Sequence, residues 1–306
     1  MGTYIARRVL SSIPVLFLVV TGVFFAFQLI PSDPARAYLG PEATPDTVEA
    51  LRRELGLDKP VIVQYFNYLR RLARGDLGKS ISTRRQVVKE LGSPFINTIK
   101  LSIASIFLAT AVGVLLGTVA AVRQGTFWDH LASVVALLGI SIPVFWLGLL
   151  MMYFFSVQLH VLPSAGDYTW KHYFMPTVAL AVFSLAFIAR MTRSSLLEVI
   201  RQDYVRTARA KGLPEWMVVT YHALRNALLP VVIVVGLRFG YMLGGAVVTE
   251  QVFAWPGLGR LLVGAVGQRD IALVQGILLV FAASFVLVNM TVDLLYGFLD
   301  PQIRYH

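Results

Sequence analysis

The chain contains no cysteine. That excludes disulfide staples, thiolate metal sites and cysteine nucleophiles, and it leaves the redox compartment unread. Charge is scarce as well: 14% of the 306 residues are Asp, Glu, Lys or Arg, against about 25% in an ordinary soluble domain. The five histidines are scattered, without the spacing of metal ligands. Serine, histidine and acid form no recognisable catalytic group. Neither a metal centre nor an enzymatic site is expected.

Hydrocarbon takes up the space instead. Hydrophobic residues make up 57% of the chain and the mean hydropathy is +0.68, the composition of a bilayer protein. The net charge of +10 raises nucleic acid as a partner. The positive residues, however, sit beside apolar runs, as cytoplasmic Lys and Arg do in membrane proteins. Membrane lipid, and no nucleic acid, is the expected surrounding.

A spanning helix needs about 20 apolar residues. Six stretches qualify: Val9–Ile30, Thr98–Val122, Leu131–Val157, the shorter Tyr173–Ala189, Val231–Thr249 and Ala272–Phe298. The expected fold is therefore an all-α integral membrane protein, one transmembrane domain over residues 1–306. An even number of spans puts both termini on one side. Arg7, Arg8 and Arg304 flank the first and last spans and predict that this side is cytoplasmic. Residues 123–130 and 190–229 then face the cytoplasm, and 31–96 form a long extracytoplasmic loop. Residues 190–229 carry seven Lys/Arg against three Asp/Glu, as the rule requires. Residues 31–96 carry eleven against eight, which runs against it, but long loops translocate largely regardless of charge. The first apolar run exceeds the roughly 7–15 residues of a signal-peptide core. An uncleaved anchor is expected, although Ala35-Arg36-Ala37 resembles a cleavage site.

The outer loop carries its own helix signals. Thr44 and Pro45 suit a helix start and Gly56 a helix end. Val61, Tyr65, Tyr68, Leu69 and Leu72 recur at helical spacing. They predict a small lid lying on the spans, compatible with a surface that meets a substrate-delivering protein. Gly75-Asp76-Leu77-Gly78-Lys79-Ser80 imitates the end of a phosphate-binding loop. The motif needs a glycine at position 73, which is Ala73, so a plain glycine turn is expected.

Residues Glu198 to Leu229 form a polar interruption between hydrocarbon blocks. A first helix runs to Ala210 with an apolar trace at Val199, Tyr204 and Ala208. Gly212 suits a left-handed helix end. Pro214 and Glu215 suit the next helix start, and the second helix runs through Trp216, Val219, Tyr221 and Leu224 towards Pro230. Two short helices with a tight corner result. The small residues Ala208, Ala210 and Gly212 admit another surface close to the backbone, with Arg209 and Lys211 at the rim. The competing expectation is a hairpin lying on lipid headgroups. Its apolar trace is too short and broken for the wide greasy face such helices use.

This stretch resembles the conserved cytoplasmic loop, the EAA loop, of ABC importer permeases. The likeness extends along the chain: R-T-A-R-A-K-G at Arg206–Gly212, H-A-L-R-N-A at His222–Ala227, W-P-G-L-G-R at Trp255–Arg260 and the ending F-L-D-P-Q-I-R-Y are similar to the dipeptide/oligopeptide branch. In place of Glu-Ala-Ala the chain has Thr207-Ala208-Arg209, as that branch commonly does. The resemblance implies that Asp203, Arg206, Thr207, Ala208, Arg209, Ala210, Lys211, Gly212 and Leu213 dock into a groove on a cytoplasmic ATPase. It implies two such ATPases, a homologous second permease and an extracytoplasmic substrate-binding protein. ATP and magnesium would then reside on the partners, with no cofactor on this chain. The implied cargo is small peptides, with glutathione, nickel chelates or another small solute as alternatives. The rival class is a secondary transporter or channel acting alone, which calls for ion-binding groups on paired broken helices.

Within the bilayer, Gly113 and Gly117, and the ladder Gly236, Gly240 and Gly244, have the spacing of close helix packing. Pro143 should kink the third span. Arg238 and Asp293 fall at similar depths from the cytoplasmic side; they are expected either to pair or share a polar network, or to snorkel separately. Glu250 closes the fifth span. The glycine-rich segment Gln251–Asp270 is expected to dip into the outer leaflet on Phe253, Trp255 and Leu258, with Trp255 as an interfacial anchor.

Overall fold

The computed structural model describes residues 2–29, 34–40 and 42–299. The end of the first expected span at Ile30, the closing motif from Asp300 to Tyr305 with Arg304, and the side chain of Arg7 lie outside the described residues. Every regular element among the described residues is helical, apart from an isolated bridge between Lys79 and Gln86.

In chain order the elements begin with α1 (Gly2–Gln28), α2 (Pro34–Leu39), α3 (Pro45–Glu54) and α4 (Val61–Leu72). The long α5 (Val87–Val122) follows, then α6 (Phe127–Ser141) and α7 (Val144–Met151), which widens into a π-helix over Met152–Gln158. Next are α8 (Trp170–Ile200), α9 (Asp203–Ala210) and α10 (Glu215–Met217), which passes through a π-turn over Val218–Ala223 into α11 (Leu224–Gly245). The last elements are α12 (Val247–Val252), α13 (Leu258–Gly267) and α14 (Ile271–Leu299). Five helices are long and apolar enough to span a bilayer, or six if one bent pair counts as a single span.

That pair is the expected third span. Its halves, Phe127–Ser141 and Val144–Gln158, meet at 102°, so Pro143 breaks the rod where a modest kink was expected. Proline disfavours helical backbone in the residue before it, and Ile142 is extended, with ψ 121°. The fourth span is also longer than the apolar run Tyr173–Ala189 implies. It continues as helix to Ile200 because Arg190 and Arg193 interrupt hydropathy without interrupting helix.

Helix α8 is the hub. Half of its apolar window is buried, against 28% or less in the other long helices. Small residues bring this about. A Cβ on Gly113 would meet Ile188 Cγ2 at 2.9 Å and the Leu185 carbonyl at 3.0 Å, and one on Gly117 would meet the Ala189 carbonyl at 2.5 Å. Lipid tails are as apolar as leucine, so such helices associate through close packing. Gly236 and Gly240 do the same for α11 against α14, where Val292 and Phe285 fill the missing Cβ positions. Gly244 does not: nothing lies within 4 Å of its Cβ position. The ladder therefore packs at two rungs, and the third lies past the crossing of the two helices.

The loop after α1 packs through α4 against α1 and α14. Thr44 caps α3, Pro45 opens it, and Gly56 has φ +68°. Helix α4 lays Tyr65 and Tyr68 on Phe24 of α1, with ring centroids 5.3 and 5.4 Å apart, and both tyrosines share a core with Val20 and Leu279. The Gly75–Ser80 segment is a turn, with Gly75 at φ +73° and Gly78 at φ +87°. The fully buried Asp270 then pins the loop to the start of α14. One of its oxygens accepts from the Ser80 hydroxyl at 2.5 Å and from the Ser82 amide at 3.1 Å, and the other caps the Leu273 amide at 3.1 Å.

Packing at Gly117 yields a direct expectation. Gly117→Val should destabilise the detergent-solubilised protein by about 1–3 kcal/mol, the usual cost of overpacking, while Gly244→Ala should leave the melting temperature unchanged. Equal melting of the two variants would show that the α5–α8 crossing does not depend on the missing side chain.

Candidate functional site

The polar interruption folds as a hairpin at the ends of α8 and α11. Helix α8 stops at Ile200, Arg201 and Gln202 turn the chain, and α9 starts at Asp203. At the corner the Gly212 amide donates to the Arg209 carbonyl at 2.9 Å, and Gly212 has φ +78°, a conformation that glycine adopts without strain. Arg209 clamps the corner shut. Its Nε and Nη2 donate to the two carboxylate oxygens of Glu215 at 3.0 and 2.6 Å, the bidentate fork geometry that guanidinium favours.

Under the corner lies an apolar core of Leu196, Val199, Val205, Ala208, Val218, Val219, Ala223 and Ala227, joined by Ala121 of α5. This core corrects the expected traces. Val205 is fully buried where Tyr204 was expected, and Tyr204 is exposed and accepts from the Asn226 side-chain amide at 2.7 Å. In the second helix Val218, Val219 and Ala223 point inward, whereas Trp216 and Tyr221 are exposed. The π-turn accounts for that shift: it adds a residue to the turn, and a 3.6-residue period cannot be carried across it. Nor does Pro230 end this helix. It lies inside α11, so hairpin and span are continuous helix.

Of the nine residues expected at the docking face, Asp203, Arg206, Thr207, Arg209, Ala210, Lys211 and Gly212 are exposed together. Ala208 is buried and Leu213 packs against the hairpin core, so these two support the surface from beneath. Two ties missed at the sequence level hold the hairpin to the bundle. The Ser195 hydroxyl donates to the Ala227 carbonyl at 2.8 Å, joining α8 to α11. Arg193 donates to both oxygens of Asp129 at 2.7 and 2.8 Å, joining α8 to the start of α6. Nothing in the spacing of residues 64 apart announces that pair.

At the opposite end of α11, Glu250 is fully buried. It accepts from the Thr98 hydroxyl at 2.6 Å and from the amides of Gly259 and Arg260 at 2.6 and 3.2 Å. Burial pushes its carboxyl pKa above the ordinary value, and these donors pull it back. Trp255 is also fully buried. Its indole N–H donates to the Asn97 carbonyl at 3.2 Å and its ring meets Tyr173 edge-on at 4.5 Å. Phe253 and Leu258 are likewise enclosed by protein. The expected lipid anchor is therefore a core residue, because the α12–α13 turn folds back onto α5 and α8.

The expected pair of Arg238 and Asp293 does not form. Asp293 lies 3.1 Å from Arg8 of α1. Arg238 stacks on Phe187 of α8 with its guanidinium carbon 3.5 Å from the ring centroid. Similar depth on the sequence did not place the two side chains on facing sides of α11 and α14. Among the described residues no three His, Asp or Glu side chains converge as a metal site requires.

Apolar helices long enough to span a bilayer, interrupted by one polar hairpin, define a membrane-embedded subunit. The chain belongs to the family described as binding-protein-dependent transport system inner membrane component, whose model matches residues 113–305, and the family's N-terminal model matches residues 1–106. It is an ABC importer permease subunit of the dipeptide/oligopeptide branch, a multi-pass inner-membrane protein that works with ATPase and substrate-binding components. The glutathione transport system permease proteins GsiC of Escherichia coli (strain K12) and Salmonella typhimurium (strain LT2) are each 45% identical to it over 305 residues, covering 100% of both chains. Among solved structures, the inward-facing MetNI methionine ABC transporter has a TM-score of 0.60 at 22% identity, covering 70% of this chain and 97% of that one. An amino acid ABC transporter has 0.51 at 18%, covering 71% and 93%. At these identities the likeness shows the fold.

The two ends of the bundle should respond differently to substitution. Glu250→Ala leaves buried amides without an acceptor and should cost about 1–3 kcal/mol, read as a lowered melting temperature in detergent. Arg209→Ala breaks an exposed pair and should cost less than about 1 kcal/mol. An unchanged melt for Glu250→Ala would remove Glu250 as the anchor of the α12–α13 turn.

Proposed function

We propose that this permease forms half of the translocation path of an ATP-driven importer of small peptides, with a homologous permease as the other half. In this reading both termini and the hairpin at 190–229 are cytoplasmic, the loop at 31–96 is extracytoplasmic, and the bent α6–α7 pair completes six spans. Two ATPase subunits, holding ATP and magnesium, bind below the two permeases, one of them at this hairpin, and a substrate-binding protein docks on the opposite face. The carrying observation is the hairpin itself: a braced corner with seven exposed candidate docking residues, continuous as helix with α11. Closure of the ATPases on ATP pushes the corner, and because no flexible linker intervenes the push reaches the spans. Glutathione, a tripeptide, is the cargo favoured within the class, since that is what the names of the 45%-identical relatives state.

The test uses the full importer in proteoliposomes, with ATP hydrolysis and uptake of labelled glutathione measured together. The wild-type importer should take up glutathione only with ATP and the binding protein present. Space beside Gly212 is open, so Gly212→Val acts through its positive φ. Left-handed backbone costs an L-residue about 1–2 kcal/mol, enough to displace the corner and lower uptake per ATP by about tenfold. Unchanged uptake per ATP would refute a docking corner. Uptake by the wild-type without ATP would refute the importer reading.

A further inference from the structure

The stacked arginine that fails to pair with Asp293 belongs to a groove the coupling mechanism does not use. Between α8 and α11, Arg238 lies over Phe187 at 3.5 Å and over Phe183 at 5.4 Å, and Arg190 lies over the same Phe187 ring at 5.1 Å. Tyr241 and Ser194 complete the polar part of an open groove of about 470 Å³ whose remaining wall is Met191, Val234 and Leu237. Among the described residues no carboxylate is within ion-pair distance of either guanidinium.

Position makes this costly. Arg238 is seven residues from the end of α11, about 10 Å at about 1.5 Å per residue, and Arg190 stands just past the apolar run of α8. Charges at such depth face a water-filled cavity or a partner, not hydrocarbon. Two guanidiniums on one ring also repel each other, a cost that an anion between them would remove. Stacking covers the face of Arg238 and leaves its edge N–H groups free for a planar oxyanion, which guanidinium binds in fork geometry.

We propose that this groove is a station on the translocation path that takes the C-terminal carboxylate of the peptide cargo, with Arg238 as the fork and Arg190 as the second charge. The inference rests on the peptide reading of the cargo. A lipid phosphate offers similar chemistry, but the groove contains the hydroxyls of Tyr241 and Ser194, which suit a wet path better than a lipid-facing wall.

The experiment measures uptake of glutathione and of glutathione amidated at its C-terminal carboxyl by the complete importer in phosphatidylcholine vesicles, each peptide saturating the binding protein. The acid-to-amide uptake ratio should fall about tenfold in Arg238→Gln and in Arg190→Gln, the loss of one charge-assisted hydrogen-bonded contact. Because both cargoes are measured on one preparation, poor assembly cancels from the ratio. If Arg238→Gln does not assemble, the exposed Arg190→Gln decides alone. An unchanged ratio in the assembled variants overturns the station while leaving the peptide reading intact. A wild-type importer that moves neither peptide refutes the peptide reading and the station with it. A ratio that falls only when phosphatidylglycerol is added assigns the groove to a lipid headgroup and overturns the proposal.

Discussion

The crossing of α5 and α8 at Gly113 and Gly117 is the contact on which the other packings depend. Between helices in lipid there is little hydrophobic drive, so the stabilisation comes from close van der Waals approach. With no side chain at Gly117, the Ala189 carbonyl and Thr192 of α8 come close to the backbone of α5. One residue further along α8, Arg193 reaches Asp129 at 2.7 Å. The loop from α5 to α6 is short, and the Gly125 amide also donates to Asp129 at 3.0 Å. Three helices are thereby fixed where α8 leaves the apolar region, the end from which the hairpin projects.

That arrangement is what the proposed lever role of the hairpin requires. An elbow joined by a flexible linker would absorb displacement. Here Ala121 of α5 contributes to the hairpin core, Ser195 bonds the backbone of α11, and α10 flows through a π-turn into α11. A core packed this way is bistable more than continuously deformable, so movement of the corner is passed on to α8 and α11 together. At the far end of α11, Glu250 ties the α12–α13 turn to Thr98 of α5. Buried contacts thus run from the hairpin to the opposite end of the bundle.

Much of this was legible in residue order, and the exceptions have physical causes. Apolar run length located five long helices, and glycine spacing marked close-packing faces on α5 and α11 without naming α8 and α14 as what fills them. The chemistry of Thr44, Pro45, Gly56, Gly212 and Pro214 marked local starts and stops, because these signals act over a few residues. Whatever depended on a neighbour distant in the chain was not legible. Trp255 is composed like an interfacial anchor, yet Asn97 and Tyr173 enclose it. Glu250 reads as a span end until its donors, Thr98 and the amides of Gly259 and Arg260, are seen. Trp216 and Tyr221 have helical spacing with Val219 and Leu224, but the π-turn rotates them outward. Gly244 continues a ladder in sequence that the crossing angle has already left. The 102° break at Pro143 was legible in kind but not in size, since proline sets the local backbone while neighbouring helices decide how far it bends.

The charges placed among the spans sort themselves by how their cost is met. Asp129 is buried and receives a bidentate guanidinium from Arg193 together with a backbone amide, so its charge is compensated within the protein. Asp293 and Arg8 meet at 3.1 Å with both side chains more than a third exposed, which keeps part of their hydration and asks little of the fold. Arg238 follows neither course. Its guanidinium is half-buried against Phe187, and a ring quadrupole returns only about 0.5–2 kcal/mol, less than a carboxylate would return at that depth. A leucine there would have packed without that cost. Stability alone therefore gives no reason for an arginine at this position, and the unspent donors of its guanidinium are what an anion moving through the bundle would meet.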